Sequence, residues 1–311
     1  MTASEPDTIQ PETLHAWMSA EKAFHLIHTL PADHYECAHI PGALQAYVYE
    51  VAFMDHVYAA IQDKTIPVVV YGDSDATMAA AMAAGKLQRA GFASVHILAG
   101  GLEAWHAQGF ELEGSESVLP QDRGYPAPLQ DGTYTLAADE SIIEWAGRNP
   151  NTKHHGILNL SEGSLTVDAG NISGKFKIDM NSIRNLNLEG DELQPVLEAH
   201  LKSDDFFFVK LFPWAWFHLK IAHPVDEPTY TLPNYQIGGN LELRGVTAPL
   251  TFTANMDHAE DGSITADAHF DFDRTRWGII YGSSRFFKHL GMHVVYDLIS
   301  VQLKIKLHPA Y

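Results

Sequence analysis

The sequence of 311 residues contains one cysteine, Cys37, so no disulfide can form within the chain. Basic residues are also few: 20 Lys and Arg stand against 39 Asp and Glu, and the formal net charge is −19. A surface of this sign repels phosphate backbones, which argues against nucleic-acid binding. A chain with a single cysteine is typical of a reducing compartment, and we expect the protein to be cytoplasmic.

Long apolar segments are absent as well. No stretch approaches the roughly 20 apolar residues of a membrane-spanning helix. Residues 1–17 lack the basic start and the apolar stretch of a signal peptide. We therefore expect neither a transmembrane segment nor a secretion signal.

Metal-binding patterns are missing although the chain has 18 histidines, and no HExxH segment or Cys/His ladder occurs. His25 and His28 are three apart on a predicted strand, where they face opposite sides. His289 and His293 are four apart around a glycine in a predicted turn. We expect no metal ion and no catalytic cofactor.

The length and the ordinary globular composition, with 46% hydrophobic residues, predict two domains. Residues 1–114 alternate apolar strands with Ala-rich helices, which predicts an α/β domain with a parallel sheet. Residues 115–131 are rich in Gly, Pro, Ser and acidic residues and predict a linker. Residues 132–311 show a period of two, which predicts an all-β antiparallel barrel interrupted by one helix at 190–206.

Four motifs of the first domain occur in a characteristic order. They are HYECAHIPGA (34–43), VVVYG (68–72), AGF (90–92) and HILAGGLEAWHAQGF (96–110). Together they resemble the rhodanese-like domains over residues 8–113. The resemblance implies a cysteine persulfide that transfers sulfane sulfur and sits directly after the VVVY strand.

The corresponding loop lacks that cysteine, and its residues are Gly72, Asp73, Ser74, Asp75, Ala76 and Thr77. Glycine cannot form a persulfide, the two aspartates repel an anionic sulfur species, and Thr77 stands where many members have an arginine. We therefore expect this domain to be catalytically inactive and to serve in docking a protein partner or in regulation. These polar residues have two other possible roles. One aspartate caps the next helix, or Ser74 and the two aspartates bind a small cationic or hydroxylated ligand. A different alternative is sulfur chemistry at Cys37.

Four segments of the second domain also occur in order. They are YTLAADESIIEWAGRN (134–149), AHLKSDDFFFVKLFPWAWFHL (199–219), GGNLELRGVTAPLTF (238–252) and FDFDRTRWGIIYGSSRFF (270–287). They resemble the YceI-like, polyisoprenoid-binding, lipocalin-like family. The resemblance implies a barrel that binds an apolar lipid such as a polyisoprenoid, a quinone tail or a polyprenyl phosphate. Phe208 and Phe212 depart from the family pattern and add apolar surface near the helix.

Period-two alternation predicts which side chains face the barrel interior. The predicted ligand-binding residues are Phe176, Ile178, Phe217, Leu219, Leu241, Leu243, Phe252, Phe270, Phe272, Val301 and Leu303. The same alternation adds three further interior residues, Ile221, Leu250 and Ile305. The alternative is that these side chains fill a solid core, in which case the protein is an interaction module of two solid domains.

Polar groups that could meet a lipid head group are fewer. The candidates are Lys153, His154 and His155 on one strand and Arg244, Arg274 and Arg276 on hairpins. The sequence leaves the oligomeric state open, a homodimer included.

Overall fold

The computed structural model describes residues 7–115, 128–226, 231–259 and 261–310. The chain divides into two compact units, residues 1–122 and 123–311. Residues 116–127 of the predicted linker lie outside the described residues, so the boundaries predicted at 114 and 132 stay predictions.

The first unit is an α/β domain built on a five-stranded parallel sheet with the strand order β1-β5-β4-β2-β3. Its strands are β1 (Asp7–Ile9), β2 (His25–His28), β3 (Leu44–Gln45), β4 (Val68–Tyr71) and β5 (Val95–Leu98). Its helices are α1 (Pro11–Ser19), α2 (Ala32–Cys37), α3 (Phe53–Ala60), α4 (Ala79–Arg89) and α5 (Gly101–Ala107). The predicted fold of this half is confirmed.

Strand β4 shows why the sheet needs helices on both faces. Its four residues are fully buried. Val68 and Val70 point into one apolar core, and Val69 and Tyr71 point into another on the opposite face. A strand that is apolar on both faces is stable only when both faces are covered, as the continuous apolar run indicates.

The second unit is an antiparallel barrel. Its strands are β6 (Gly132–Leu136), β7 (Ile142–Arg148), β8 (Lys153–Asp168), β9 (Asn171–Asn185), β10 (Trp214–Pro224), β11 (Tyr235–Leu243), β12 (Val246–His258), β13 (Ile264–Asp273) and β14 (Leu298–Pro309). Strands β6 and β7 both pair with β8 and β14 and so share one position, and the pairing of β13 with β14 closes the ring. The barrel therefore has eight positions, and helix α6 (Leu193–Lys202) interrupts the strand order between β9 and β10. The predicted barrel and its interrupting helix are confirmed.

One interior prediction is wrong, and the cause is a local irregularity in β10. The pairing of β10 with β11 shifts register between Leu219 and Ile221. Such a β-bulge breaks the strict alternation of faces. Ile221 is consequently 49% exposed on the outside, whereas Ala222 is buried.

Candidate functional site

The barrel encloses a cavity of about 280 Å³. Small-molecule sites commonly measure about 300–1,000 Å³, so the volume of this cavity lies just below that range. The side chains around it come from the barrel strands, from α6 and from the segments that follow α6 and β13, and nearly all of them are apolar. The barrel is therefore not a solid core.

The predicted ligand-binding residues lie on the wall of this cavity. The eleven are Phe176, Ile178, Phe217, Leu219, Leu241, Leu243, Phe252, Phe270, Phe272, Val301 and Leu303, and the interior residues Leu250 and Ile305 join them. They reach the same space because every second residue of each strand faces inward. That they contact a ligand stays a prediction.

Stacked aromatic rings form part of the wall. Phe252 and Phe270 stack with ring centroids 4.3 Å apart, and Phe217 lies 5.8 Å from Phe252. A Cβ at Gly239 would come within 2.7 Å of the Phe217 ring, so the missing side chain makes room for that ring. Such rings offer a large apolar surface to a ligand.

Helix α6 closes one end of the cavity. The sequence predicted this helix but not which of its residues face the cavity. Leu197 and Leu201, four apart on α6, face the cavity together with Phe206 and Phe207 just after the helix. The i, i+4 spacing of the two leucines was a usable signal. Phe208, which departs from the family pattern near this helix, is not among the residues around the cavity.

Strands β7 and β8 add wall residues that sequence reasoning also missed, although β7 shows the same period of two. They are Ile143, Trp145, Leu158, Leu160 and Leu165.

Five of the residues that line the cavity are polar, and three of them lie together at one edge: Arg148, Asn149 and His154, with Asp267 and Arg274 elsewhere on the wall. Arg148 donates from Nη1 to the Ser300 hydroxyl at 2.7 Å. His154 belongs to the predicted Lys153–His155 group, and its two neighbours are exposed and do not face the cavity. Arg148 and Asn149 follow the last inward positions of β7, and sequence reasoning missed them.

These polar residues and α6 lie at the same end of the barrel. The backbone N–H of Asn185, the last residue of β9, donates to Glu198 of α6 at 2.8 Å. The side-chain amide of Asn185 donates to the carbonyl of His155 at 3.0 Å. The polar edge therefore adjoins the helical closure.

Arg274 is one of the candidates for contact with a head group, and its surroundings argue against that role. Its side chain is only 2% exposed and donates to the backbone carbonyls of Ile279 (2.7 Å), Val295 (3.0 Å) and Tyr296 (3.1 Å). Asp297 lies 3.6 Å away. Burial lowers the pKa of the guanidinium, and Asp297 opposes that shift. With its donors engaged, Arg274 holds the backbone together rather than binding a head group.

The other two candidate arginines, Arg244 and Arg276, do not line the cavity, whereas Arg274 does. Arg244 donates to the carbonyls of Asp204 and Gly278. Arg276 donates to the carbonyl of Pro249 at 2.7 Å. Both link hairpin backbones at the barrel surface.

The loop after β4 is held by its own side chains. The Thr77 hydroxyl donates to Asp73 at 2.6 Å, and the backbone N–H of Ala76 donates to the Ser74 hydroxyl at 3.3 Å. The carboxylate of Asp75 accepts a hydrogen bond from the backbone N–H of Gly100 at 2.8 Å, directly before α5.

The alternative that Asp73 or Asp75 caps the next helix is wrong, because α4 has no side-chain cap. The loop instead folds against the start of α5. Leu102 and Glu103 of α5 donate their backbone N–H groups to the carbonyls of Gly72 and Asp73 at 3.0 and 2.9 Å.

Glycine is required where α5 meets the loop. Gly101 has φ = +57°, and a Cβ there would lie 2.7 Å from the carbonyl oxygen of Gly72. Because the loop lies this close to α5, N–H groups at the start of α5 point at carbonyls of the loop. Free N–H groups at a helix N-terminus are what attract an anion, and those of Leu102 and Glu103 are occupied.

The histidines near this loop are packed rather than assembled for metal binding. His28 is buried, and its Nε2 lies 3.3 Å from Nδ1 of His34. Burial, followed by the nearby His34 and His39, lowers the pKa of His28 to about 3. Within the described ranges, no group of three or more His, Cys, Asp or Glu side chains could hold a metal ion. Among all the described residues, no helix is long and apolar enough to cross a membrane.

Comparison with known families supports both motif assignments. Residues 134–307 match the family model of the YceI-like domain, and residues 10–108 match that of the rhodanese-like domain. The two resemblances inferred from the motifs are thereby confirmed. Among the curated proteins, no significant match was found.

Several solved structures are similar to parts of this chain. Burkholderia cenocepacia BcnA is 16% identical, with 55% of this chain and 98% of that chain covered and a TM-score of 0.43. A polyisoprenoid binding domain from Saccharophagus degradans, implicated in plant cell wall breakdown, is 12% identical, with coverages of 58% and 100% and a TM-score of 0.41. The rhodanese-like domain of an Anabaena sp. protein is 26% identical, with coverages of 41% and 96% and a TM-score of 0.32.

Proposed function

This chain belongs to the YceI-like domain family, and on that premise we propose that its barrel binds one long apolar lipid. The ligand class is a polyisoprenoid, or the isoprenoid tail of a quinone or of a polyprenyl phosphate. The observation that carries the proposal is the cavity of about 280 Å³ with its nearly all-apolar wall. The alternative of two solid domains does not account for this space.

The physical reason lies in the chemistry of the wall. Each methylene that leaves water for such a wall gains about 0.8 kcal/mol. A polar ligand would lose its hydrogen bonds to water there and find few replacements. The cavity therefore selects hydrocarbon.

A head group has one place to remain hydrated. Arg148, Asn149 and His154 lie at the edge of the cavity, where a cationic side chain can meet a phosphate or a quinone oxygen. We assign the head group to this edge and the tail to the apolar interior.

We propose a docking or regulatory role for the rhodanese-like unit. Gly72 occupies the position that follows β4, and N–H groups of α5 are engaged by the loop. Asp73 and Asp75 add negative charge there. These features disfavour an anionic sulfur intermediate in the loop.

The competing function is sulfur transfer at Cys37, which is the last residue of α2 and not part of the loop after β4. A thiosulfate:cyanide assay on the wild type and on Cys37→Ser separates the two. We expect no turnover above background in either protein. Turnover that disappears in Cys37→Ser would establish the competing function.

The lipid-binding proposal is tested by filling the cavity from the wall. Ala266 of β13 faces the cavity, and Thr265 beside it is exposed on the outer face. In Ala266→Leu the larger side chain occupies ligand space, so we expect at least about tenfold weaker displacement of a fluorescent apolar probe by geranylgeraniol. Stability should be kept or rise by about 0.5–2 kcal/mol, as for other cavity-filling changes.

The matched control is Thr265→Leu, which adds apolar volume to the same strand but on its outer face. Its affinity should equal that of the wild type. Equal affinity in Ala266→Leu and Thr265→Leu would mean that the probe binds outside the cavity.

A further inference from the structure

One segment of the barrel unit carries cations and no carboxylates. Residues 274–296 contain no Asp or Glu, although the chain has 39 of them, and contain four Lys or Arg residues. Arg285 in this segment bridges Asp273 (2.6 Å) and Asp297 (3.7 Å). Lys288 and its neighbouring histidines are exposed.

The same segment exposes large apolar side chains. Phe286 is 52% exposed, Phe287 is 43% exposed and Met292 is 86% exposed. Solvent-facing rings beside cations in an otherwise acidic protein are costly in water unless they have an apolar or interfacial partner.

A fixed base holds this loop in place. The buried Arg274 donates to carbonyls at both ends of the loop, Ile279 on one side and Val295 on the other. The backbone N–H of Val295 also donates to the carbonyl of Gly282 at 2.9 Å. The exposed residues 284–289 therefore project from an anchored loop.

The loop lies beside the helical closure of the cavity. Ile279 and Val295, at its base, both face the cavity. The Tyr281 ring lies 4.8 Å from His200 of α6 and 5.2 Å from Phe206. A surface that contacts this loop is thus next to the end of the cavity that α6 closes.

We propose that the loop 282–293 docks the protein onto an anionic lipid membrane. Phe286, Phe287 and Met292 enter the interfacial region, where aromatic and apolar side chains gain burial. Lys288 meets the negative surface of the bilayer, which suits a loop that has cations and no carboxylates. The net charge of −19 makes the rest of the surface repel that membrane, so it orients the loop toward it.

The proposal deepens the proposed function, because docking at this end places the cavity next to its lipid source. It can nevertheless be tested without any cavity ligand. The full chain is mixed with vesicles of phosphatidylcholine, or with vesicles in which phosphatidylglycerol replaces part of it, and the bound fraction is measured by flotation. We expect binding to the anionic vesicles that weakens as salt is added.

Two variants and two matched controls locate the contact. Phe286→Ser combined with Phe287→Ser should lower partitioning to anionic vesicles at least about tenfold, whereas Ile221→Ser, similarly exposed on β10, should not. Lys288→Glu should lower binding to anionic vesicles only, and Lys304→Glu on the outer face of β14 should lower it less. All five substituted positions are exposed, so the variants are expected to fold.

Three results would overturn the proposal. The first is no vesicle binding by the wild type. The second is an equal loss in Ile221→Ser or Lys304→Glu. The third is that the wild type self-associates in sedimentation without vesicles and the double Phe variant does not. That result would mean that the loop is an interface between two copies of the chain. Vesicle binding by a protein that fails to take up geranylgeraniol would support docking while contradicting the proposed function.

Discussion

At the scale of single residues, Gly72 has the most direct bearing on the rhodanese-like unit. A Cβ at this position would meet Thr77 Oγ1 at 3.5 Å, Ala79 Cβ at 3.6 Å and Thr29 Oγ1 at 3.7 Å. These are ordinary contact distances, so glycine is not required there for packing. The position is open to a cysteine, which allows the loop itself to be tested.

The variant Gly72→Cys is expected to fold with stability within about 0.5 kcal/mol of the wild type. Its thiol pKa should stay at or above about 8.5, because Asp73 and Asp75 are nearby and N–H groups of α5 are occupied. The pH dependence of alkylation by iodoacetamide measures this pKa, with Ala76→Cys on the exposed part of the loop as control. A pKa well below 7 together with thiosulfate:cyanide turnover would show that the loop still supports sulfur chemistry.

His28 makes the stability of the same unit depend on pH. Its pKa in the folded unit is about 3, lowered first by burial and then by His34 and His39, against about 6.5 when unfolded. Between these values only the unfolded chain takes up the proton. Stability is therefore complete above pH 6.5 and falls with decreasing pH, by about 1.4 kcal/mol per pH unit and about 2 kcal/mol between pH 7 and pH 5.

The variant His28→Phe removes this titration and keeps a ring against Tyr35 and Tyr71, whose centroids lie 5.4 and 5.2 Å away. Hydrogen exchange is measured on the full chain at pH 7 and pH 5. Peptides from residues 7–115 then report the amide protection of this unit alone. We expect the variant to lose much less protection than the wild type on acidification. An unchanged pH slope would mean that His28 is not the responsible group.

At the scale of elements, α6 controls one end of the cavity. Leu197 packs against the barrel core and faces the cavity, whereas Val196 on the same helix is exposed. Replacing Leu197 by Ser removes apolar contact worth about 1–2 kcal/mol and loosens the closure. We expect bound geranylgeraniol to leave about three- to tenfold faster, measured by stopped-flow transfer to acceptor vesicles.

Val196→Ser makes the same kind of change on the outer side of α6 and should leave the dissociation rate unaltered. If both variants release the ligand at the wild-type rate, the ligand exits elsewhere and α6 is only a structural cover.

The strands also show which side-chain positions follow from the local sequence and which depend on distant residues. Period-two alternation places Phe252 and Val301 on the cavity wall, because the pleat of a strand is a local property. Ile221 departs from this pattern, because the bulge depends on pairing with β11, which lies outside the local window. The burial of Arg274 likewise depends on its hydrogen bonds to backbone carbonyls that lie 5 to 22 residues away along the chain.

At the scale of the whole molecule, the motifs identified both families, and the alternation of elements predicted the class of each unit. The presence of the cavity could not be predicted, because an inward apolar residue serves a filled core and an open one equally well. The outcome depends on how rings such as Phe217 and Phe270 pack across the barrel, which is a long-range property.

The most direct measurement of the central claim is native mass spectrometry of the full chain purified without detergent, followed by solvent extraction of the same sample. The account predicts a fraction of protein carrying one additional apolar mass per chain, recovered in the extract and absent from Ala266→Leu. Protein that carries no such mass, and that acquires none when mixed with geranylgeraniol, would contradict it.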